Sequence, residues 1–354
     1  MATILVINPG STSTKIGVFR DLEEVFTETV NHSAEEIGRY ASIADQYGFR
    51  EQHIRDALRK RGFDAHGIDA VVGRGGLLRP IPGGVYRVSS PMLEDLRAAK
   101  YGEHASNLGA LIADALGREW GVPSFIADPV VVDELSDVAR VAGHALFQRR
   151  SIFHALNQKA VCRRYARESG RAYEDLTLIV AHMGGGVSVG LHQRGRVTDV
   201  NQALNGEGPF SPERSGTLPA GDLAKLCFSG KHSEKEVLKM ITGQGGMVSL
   251  LGTNDMREVE KAVQAGDPKA DLYYRAFIYN VGKFIGSMAA AASGKVDAII
   301  LTGGIAHGKG IQEGIAGLCG WIAPVVVYPG EGELEALALA GSRALSGEAH
   351  IQEY

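Results

Sequence analysis

Two stretches far apart in the chain share one shape, and it limits the folds available. Ile4-Leu5-Val6-Ile7 is an unbroken apolar run that gives way to Asn8-Pro9-Gly10-Ser11-Thr12-Ser13-Thr14-Lys15, a turn rich in hydroxyls with one amide and one lysine. Leu178-Ile179-Val180-Ala181 runs in the same way into His182-Met183-Gly184-Gly185-Gly186, after which Val187-Ser188-Val189-Gly190 resumes strand-like residues. A short apolar run bounded by turn signals suits a strand covered on both faces. Glycines at its end let backbone N–H groups come close to a phosphate. A second pair repeats the pattern: Ile68-Asp69-Ala70-Val71-Val72-Gly73-Arg74-Gly75-Gly76 reads almost like Val296-Asp297-Ala298-Ile299-Ile300-Leu301-Thr302-Gly303-Gly304. The expectation is a duplicated α/β unit with a nucleotide between the copies.

The length of 354 residues exceeds what one core usually holds. We place the boundary near 150, giving domains 1–150 and 151–330, with a closing helix at about 331–354 packing back on the first. Residues 3–30 read as strand, turn and strand. Helical spacing recurs over 54–60, 92–99, 108–120 and 151–167, and a short strand at Ser124-Phe125-Ile126-Ala127 ends at Asp128. Arg194-Gly195-Arg196 turns a hairpin between 187–191 and 197–200. A last strand at 324–328 precedes a helix over 333–345.

The net charge of -4, with Lys and Arg scattered, leaves no basic stripe for nucleic acid. Phe277 to Ala292, the longest apolar stretch, is interrupted by Tyr279, Asn280, Lys283 and Ser287 and reads as a buried amphipathic helix, not a membrane span. Cys162, Cys227 and Cys319 lack metal-ligand or redox spacing and are expected in the core. With no basic-plus-apolar leader, a cytoplasmic location is expected.

Chemistry-bearing residues cluster at strand ends. Asn8, Ser11, Ser13 and Lys15 put donors and a cation around one turn, as a site handling phosphate and its metal requires; a capped surface turn would use similar residues. Gly303 to Gly310 fits the GxxxxGK part of a Walker loop, but Gly310 stands where the hydroxyl should be, so a backbone platform for adenosine is the better reading. Gly184, Gly185 and Gly186 fail the spacing of a dinucleotide turn. Arg74, held between glycines at a strand end, suits an anion contact. Arg214 lies in a Gly/Pro-rich loop of the kind that lines active sites. His104 and His154 could serve function or simply satisfy a carbonyl. Asp128, Glu331 and Glu333 suit metal or water contacts, or equally helix N-termini.

Six segments in order, Asn8 to Lys15, Gly73 to Leu78, Phe153-His154, His182 to Gly186, Glu213 to Gly216 and Leu301 to Ile305, together resemble the acetate and butyrate kinases, the acetokinase family of the actin-like ATPase superfamily. The resemblance spans essentially the whole chain and is nearest on the butyrate side. It implies an α/β chain of two duplicated actin-like (ribonuclease H-like) domains with a nucleotide cleft between them, and reversible ATP-dependent phosphorylation of butyrate to butyryl phosphate.

Carried over residue by residue, the resemblance implies that Arg74 and Arg214 clamp the carboxylate and the phosphoryl group in flight. His154 donates to its oxygens, His104 supports the site and Asp128 orients a partner or the metal. Ser11, Ser13 and Lys15 lie near the phosphates. Asn8 with a closing glutamate, Glu333 ahead of Glu331, helps to hold Mg²⁺ or another divalent cation. His182, Gly184, Gly185, Gly186, Asp255, Met256, Arg257, Gly303, Gly304, Ile305 and His307 form the ATP/ADP platform. Gly75, Gly76, Phe153 and Pro209 line the acyl pocket, the two glycines leaving room for the methylenes that separate butyrate from acetate.

A carboxylate needs no general base, so direct in-line transfer without a phosphoenzyme is expected. The partners implied are a short-chain carboxylate, ATP and further copies of the chain, with no nucleic acid and no membrane. The alternatives are a kinase for acetate, propionate, isobutyrate or a branched acid, and a non-catalytic nucleotide-binding regulator of the same fold.

Overall fold

In a computed structural model, which describes residues 2–63 and 65–354, the N-terminal run forms β1 (Thr3–Pro9), every residue of it buried. It pairs antiparallel with β2 (Ser13–Arg20), which in turn pairs with β3 (Glu23–Asn31). On its other side it pairs parallel with β4 (Ala70–Arg74). A strand flanked on both edges and covered on both faces has no solvent side, hence the lack of alternation in its sequence. With β5 (Val85–Arg87), β6 (Ser124–Ala127) and a short C-terminal strand, Ile351–Gln352, the sheet order is C-terminal strand-β5-β6-β4-β1-β2-β3.

The second sheet is built from β7 (Thr177–Met183), β8 (Val187–Gln193), β9 (Arg196–Val200), β10 (Ala298–Gly303) and β11 (Val325–Pro329), in the order β11-β10-β7-β8-β9. Each sheet therefore holds an antiparallel three-strand meander whose first strand continues into two parallel neighbours. The β8–β9 turn has Arg194 and Gly195 at φ 53° and 74°, the left-handed pair a two-residue hairpin demands.

Alternation along β7 sorts its side chains into two layers. Leu178 and Val180 join Val161, Cys162 and Ala166 of the helix Ala155–Ser169. Ile179 and Ala181 join Phe277, Val281, Ile285 and Met288 of the helix Pro268–Ala291. That helix starts well before the apolar stretch that signals it, because Asp267 caps the amides of Lys269 and Ala270 and Pro268 occupies the first turn.

The chain divides into one unit of residues 1–132 with 332–354 and another of 133–331. The division falls earlier than the position near 150 expected from sequence. Residues 133–150 are tied to the second unit: Ser136 N–H donates to Thr198 O, Arg149 bonds Asp199 and Glu207, and the buried pair Lys159–Glu134 closes at 2.9 Å. Those partners are charged and distant in sequence, so no composition shift marks the border. The helix Glu333–Leu345 packs on β1 and β4, where a Cβ on Gly341 would lie 2.7 Å from Val72 Cγ2. Residues 151–154 precede the helix Ala155–Ser169 instead of beginning it. Cys162 and Cys319 are buried, and burial pushes their thiols up to about 12 and about 11; Cys227 is exposed, contrary to the expectation of a core residue.

Candidate functional site

In the first unit the chemistry gathers at the carboxyl ends of β1 and β4. Their register pairs Ile7 with Gly73, so Asn8 and Arg74 are the next residues on adjacent parallel strands. Both reach Glu333, the first residue of the C-terminal helix: Asn8 Nδ2 donates to Glu333 Oε2 at 2.6 Å, and Arg74 Nη1 bonds Oε1. Gly332, at φ 53°, supplies the left-handed step that turns the chain into this helix. Lys15 is the antiparallel partner of Asn8, so their side chains leave the sheet on one face.

The turn between β1 and β2 is held by Arg50, a fully buried guanidinium that the sequence pattern did not single out. Its Nη1 donates to Gly10 O at 2.7 Å and Ser13 O at 3.1 Å, and its Nη2 to Ser11 O at 3.1 Å. Gly10 N–H closes the turn on Ser13 O at 2.7 Å. Collecting three carbonyls on one cation fixes the turn and leaves the exposed Ser11 and half-buried Ser13 on its outer side.

Gly75 and Gly76 have close neighbours where a Cβ would stand. A Cβ on Gly75 would lie 2.6 Å from Pro129 Cβ, and one on Gly76 would lie 2.6 Å from Asn107 Cα. These glycines allow β4 and its continuation to press against the start of the helix Asn107–Trp120, where Asn107 Oδ1 accepts from Leu77 N–H at 2.8 Å. Close packing is thus a reason for both glycines alongside the expected role in lining an acyl pocket, and a sequence cannot distinguish the two.

Asp128 is buried with φ 38°, a conformation rare for a residue with a side chain, and it exchanges two hydrogen bonds with Gly84: Oδ1 accepts at 2.7 Å and its N–H donates at 3.0 Å. His104 is exposed, and its Nδ1 accepts from Ser106 N–H at 3.2 Å.

In the second unit, His154 stacks flat on His182, with ring centroids 3.8 Å apart and planes 9° apart. His182 ends β7, and His154 sits at the N-cap of the helix Ala155–Ser169. Beyond His182 the glycine turn closes by Gly184 N–H to Gly186 O at 3.0 Å. Gly186 leaves room for Arg214, whose guanidinium carbon would lie 2.7 Å from a Cβ there. Arg214 Nη1 donates to Ala203 O at 2.7 Å, while its buried Nε has no partner among the described residues. Ser211 ties the loop to the turn, donating to Gly185 O at 2.6 Å and accepting from Arg214 N–H at 3.0 Å.

Beside this turn is a depression of about 520 Å³ lined by Gly184, Gly185, Asp255, Met256, Arg257, Gly304, Ile305 and His307. Asn254, Glu260, Gly308, Pro212 and Glu331, not singled out for this role, complete it. Asp255 caps the helix Met256–Gln264, accepting from Arg257 N–H at 2.9 Å, and the Arg257 guanidinium holds its carboxyl down at about 2. His182, Gly186 and Gly303 are not among the lining residues; Gly303, at φ 85°, brings the end of β10 onto the backbone of Met183. Of the two candidate closing glutamates, Glu333 meets Asn8, whereas Glu331 belongs to this depression and its carbonyl accepts from Asn157 Nδ2 at 2.6 Å. Phe153 and Pro209 are buried and lie outside its lining.

The fold has counterparts among solved structures. The crystal structure of Porphyromonas gingivalis acetate kinase superimposes with a TM-score of 0.79 over 97% of this chain and 99% of that one, at 18% identity, so the two share an α/β fold. The chain belongs to the acetokinase family. The family model, described as Acetokinase family, matches residues 138–312. Butyrate kinase 2 of Clostridium acetobutylicum is 55% identical over 351 residues, and a probable butyrate kinase of Clostridium botulinum is 54% identical over 351; both alignments cover 99% of each chain.

Proposed function

We propose that this protein phosphorylates butyrate with ATP, forming butyryl phosphate and ADP, and runs in reverse to form ATP. The observation that carries the proposal is the 54–55% identity, over 99% of both chains, to proteins named butyrate kinase. The residue chemistry supports it. A carboxylate is ionised at neutral pH and is already a nucleophile, so the protein's task is to position two anions and neutralise them. Arg74 and Arg214 supply the guanidinium groups for that task, and His154 a donor to the phosphoryl oxygens; Asp128 and His104 hold the surrounding backbone. Ser11, Ser13 and Lys15 face the phosphates, and the depression beside Gly184 takes the nucleoside. The reaction is direct in-line transfer.

The amide and carboxylate of Asn8 and Glu333 meet at 2.6 Å. They are hard oxygen donors of the kind Mg²⁺ accepts alongside substrate phosphates, so the residues fit that ion. When bound it would neutralise charge on the phosphates. Asn8 and Arg74 hold the Glu333 carboxylate in place for it.

The matching strand orders of the two sheets support a reading as duplicated actin-like halves acting on the same ATP. A cytoplasmic homo-oligomer is part of the proposal. Three cysteines without disulfides support the location, and Phe228 and Trp321, exposed at 92% and 81%, support association through the second unit. Among the described residues, no helix is long and apolar enough to cross a membrane.

The test is hydroxylamine trapping of acyl phosphate with ATP, Mg²⁺ and acids from acetate to valerate. Butyrate should give the highest kcat/KM. Product with no acid above the blank would overturn the kinase, and a clear preference for acetate would overturn the acid.

A further inference from the structure

The helix that begins after His154 carries two amides in its first turn, Asn157 and Gln158, and each is committed to one of the stacked histidines. Asn157 Nδ2 donates to Glu331 O at 2.6 Å, so its Oδ1 is the atom 2.7 Å from His182 Nδ1. A carbonyl oxygen only accepts; His182 therefore carries a proton on Nδ1, and its neutral ring has the lone pair at Nε2.

Gln158 acts on His154 through Ser188. Its Nε2 lies 3.1 Å from the Ser188 carbonyl, which can only accept, and this settles which end of the amide is which. The same NH₂ group donates to Ser188 Oγ at 2.8 Å. The Ser188 hydroxyl has one other partner among the described residues, His154 Nδ1 at 2.8 Å, so its hydrogen goes there. On the far side, Gln158 Oε1 accepts from His192 Nε2 at 2.9 Å, leaving His192 Nδ1 to accept from Tyr173 OH at 2.6 Å. Gln158, Ser188 and His192 are fully buried. Burial holds His192 well below the usual histidine range, so it stays neutral.

We infer that the buried chain Tyr173–His192–Gln158–Ser188 sets the tautomer of His154, delivering a hydrogen to Nδ1 so that the neutral ring always offers Nε2–H. Gln158 and Ser188 are thus positioning residues, and the stacked rings carry opposite tautomers, a donor at His154 Nε2 and an acceptor at His182 Nε2. The value of this to catalysis rests on the proposed kinase activity: a neutral donor is ready for a phosphoryl oxygen without first binding a proton.

The test begins with the unaltered protein labelled with ¹⁵N in histidine. Long-range ¹H–¹⁵N correlation should show His154 and His192 protonated at Nε2 and His182 at Nδ1; a proton on His154 Nδ1 overturns the inference whether or not the protein is a kinase. The second step is Ser188→Ala. Losing its hydroxyl should turn the His154 pattern into a mixture of both tautomers and lower kcat about tenfold, against the 10²–10³ typical of deleting a donor outright, with KM for ATP unchanged. An unmixed pattern with full kcat overturns the inference. If the tautomers are as stated and no acid is phosphorylated, the proposed function fails and the tautomer assignment stands.

Discussion

Asn8 Nδ2 and Glu333 Oε2 meet at 2.6 Å although 325 positions separate them in the chain. The contact exists because the C-terminal helix packs on β1 and β4, and it makes residues 332–354 part of the first unit's chemistry. Arg74 bonds the other oxygen of the same carboxylate, so the cation and the candidate metal ligand are held as one assembly.

This assembly makes Glu333→Gln a sharp probe. The amide keeps the shape and removes the charge, so the apparent Mg²⁺ requirement should rise at least tenfold while Glu331→Gln changes it little. Titrating activity against Mg²⁺ at fixed ATP compares the two variants.

Arg74→Ala and Arg214→Ala test the proposed clamp on the reacting groups. Each should lower kcat by about 10²–10³, with nucleotide affinity nearly unchanged by equilibrium binding. Near-normal turnover would remove that arginine from the proposed mechanism.

Gly76→Val should destabilise the protein, not retune its acid preference. The new side chain would meet Asn107, and overpacking of this kind costs about 1–3 kcal/mol. A lowered unfolding midpoint with an unchanged butyrate-to-acetate ratio of kcat/KM is expected; a selective loss of butyrate activity would restore the pocket reading of the glycine.

Arg50→Gln leaves the carbonyls of Gly10, Ser11 and Ser13 without their shared cation. The turn should loosen and KM for ATP rise several-fold, with increased proteolytic nicking at residues 10–14. Arg50→Lys should recover little, since an ammonium cannot span the same fork.

Acid should weaken the first unit through His32. Its ring is buried, with Nε2 2.9 Å from Thr14 Oγ1, and burial followed by the Arg50 charge lowers its pKa from 6.5 to about 4. Between those values the unfolded chain binds the proton first, so stability falls as pH drops through that window and no further once the folded histidine is also protonated. His32→Gln should therefore shrink the loss of urea midpoint between pH 7 and about pH 5, and an equal loss would exclude His32 as its source.

The buried strands, the glycine turns, the β8–β9 hairpin and the helix 333–345 were readable because their signals are local: continuous apolar runs, left-handed turn residues, helical spacing. The resemblance paired Asn8 with a closing glutamate, Glu333 ahead of Glu331, but that Arg74 bonds the same Glu333 carboxylate came only from the fold. Arg50, Gln158, Ser188 and His192 carried no signal, because an arginine in an amphipathic helix or a serine in a buried strand reads as ordinary. Their roles depend on which carbonyl or ring nitrogen stands opposite. Gly75 and Gly76 show the same limit: glycine announces that something comes close, and packing alone says whether it is a ligand or a neighbouring backbone. Periodicity and turn chemistry are written into adjacent residues and survive without the fold. Hydrogen-bond partners and proton positions are relations between distant segments, and they come into being only when the chain has closed on itself.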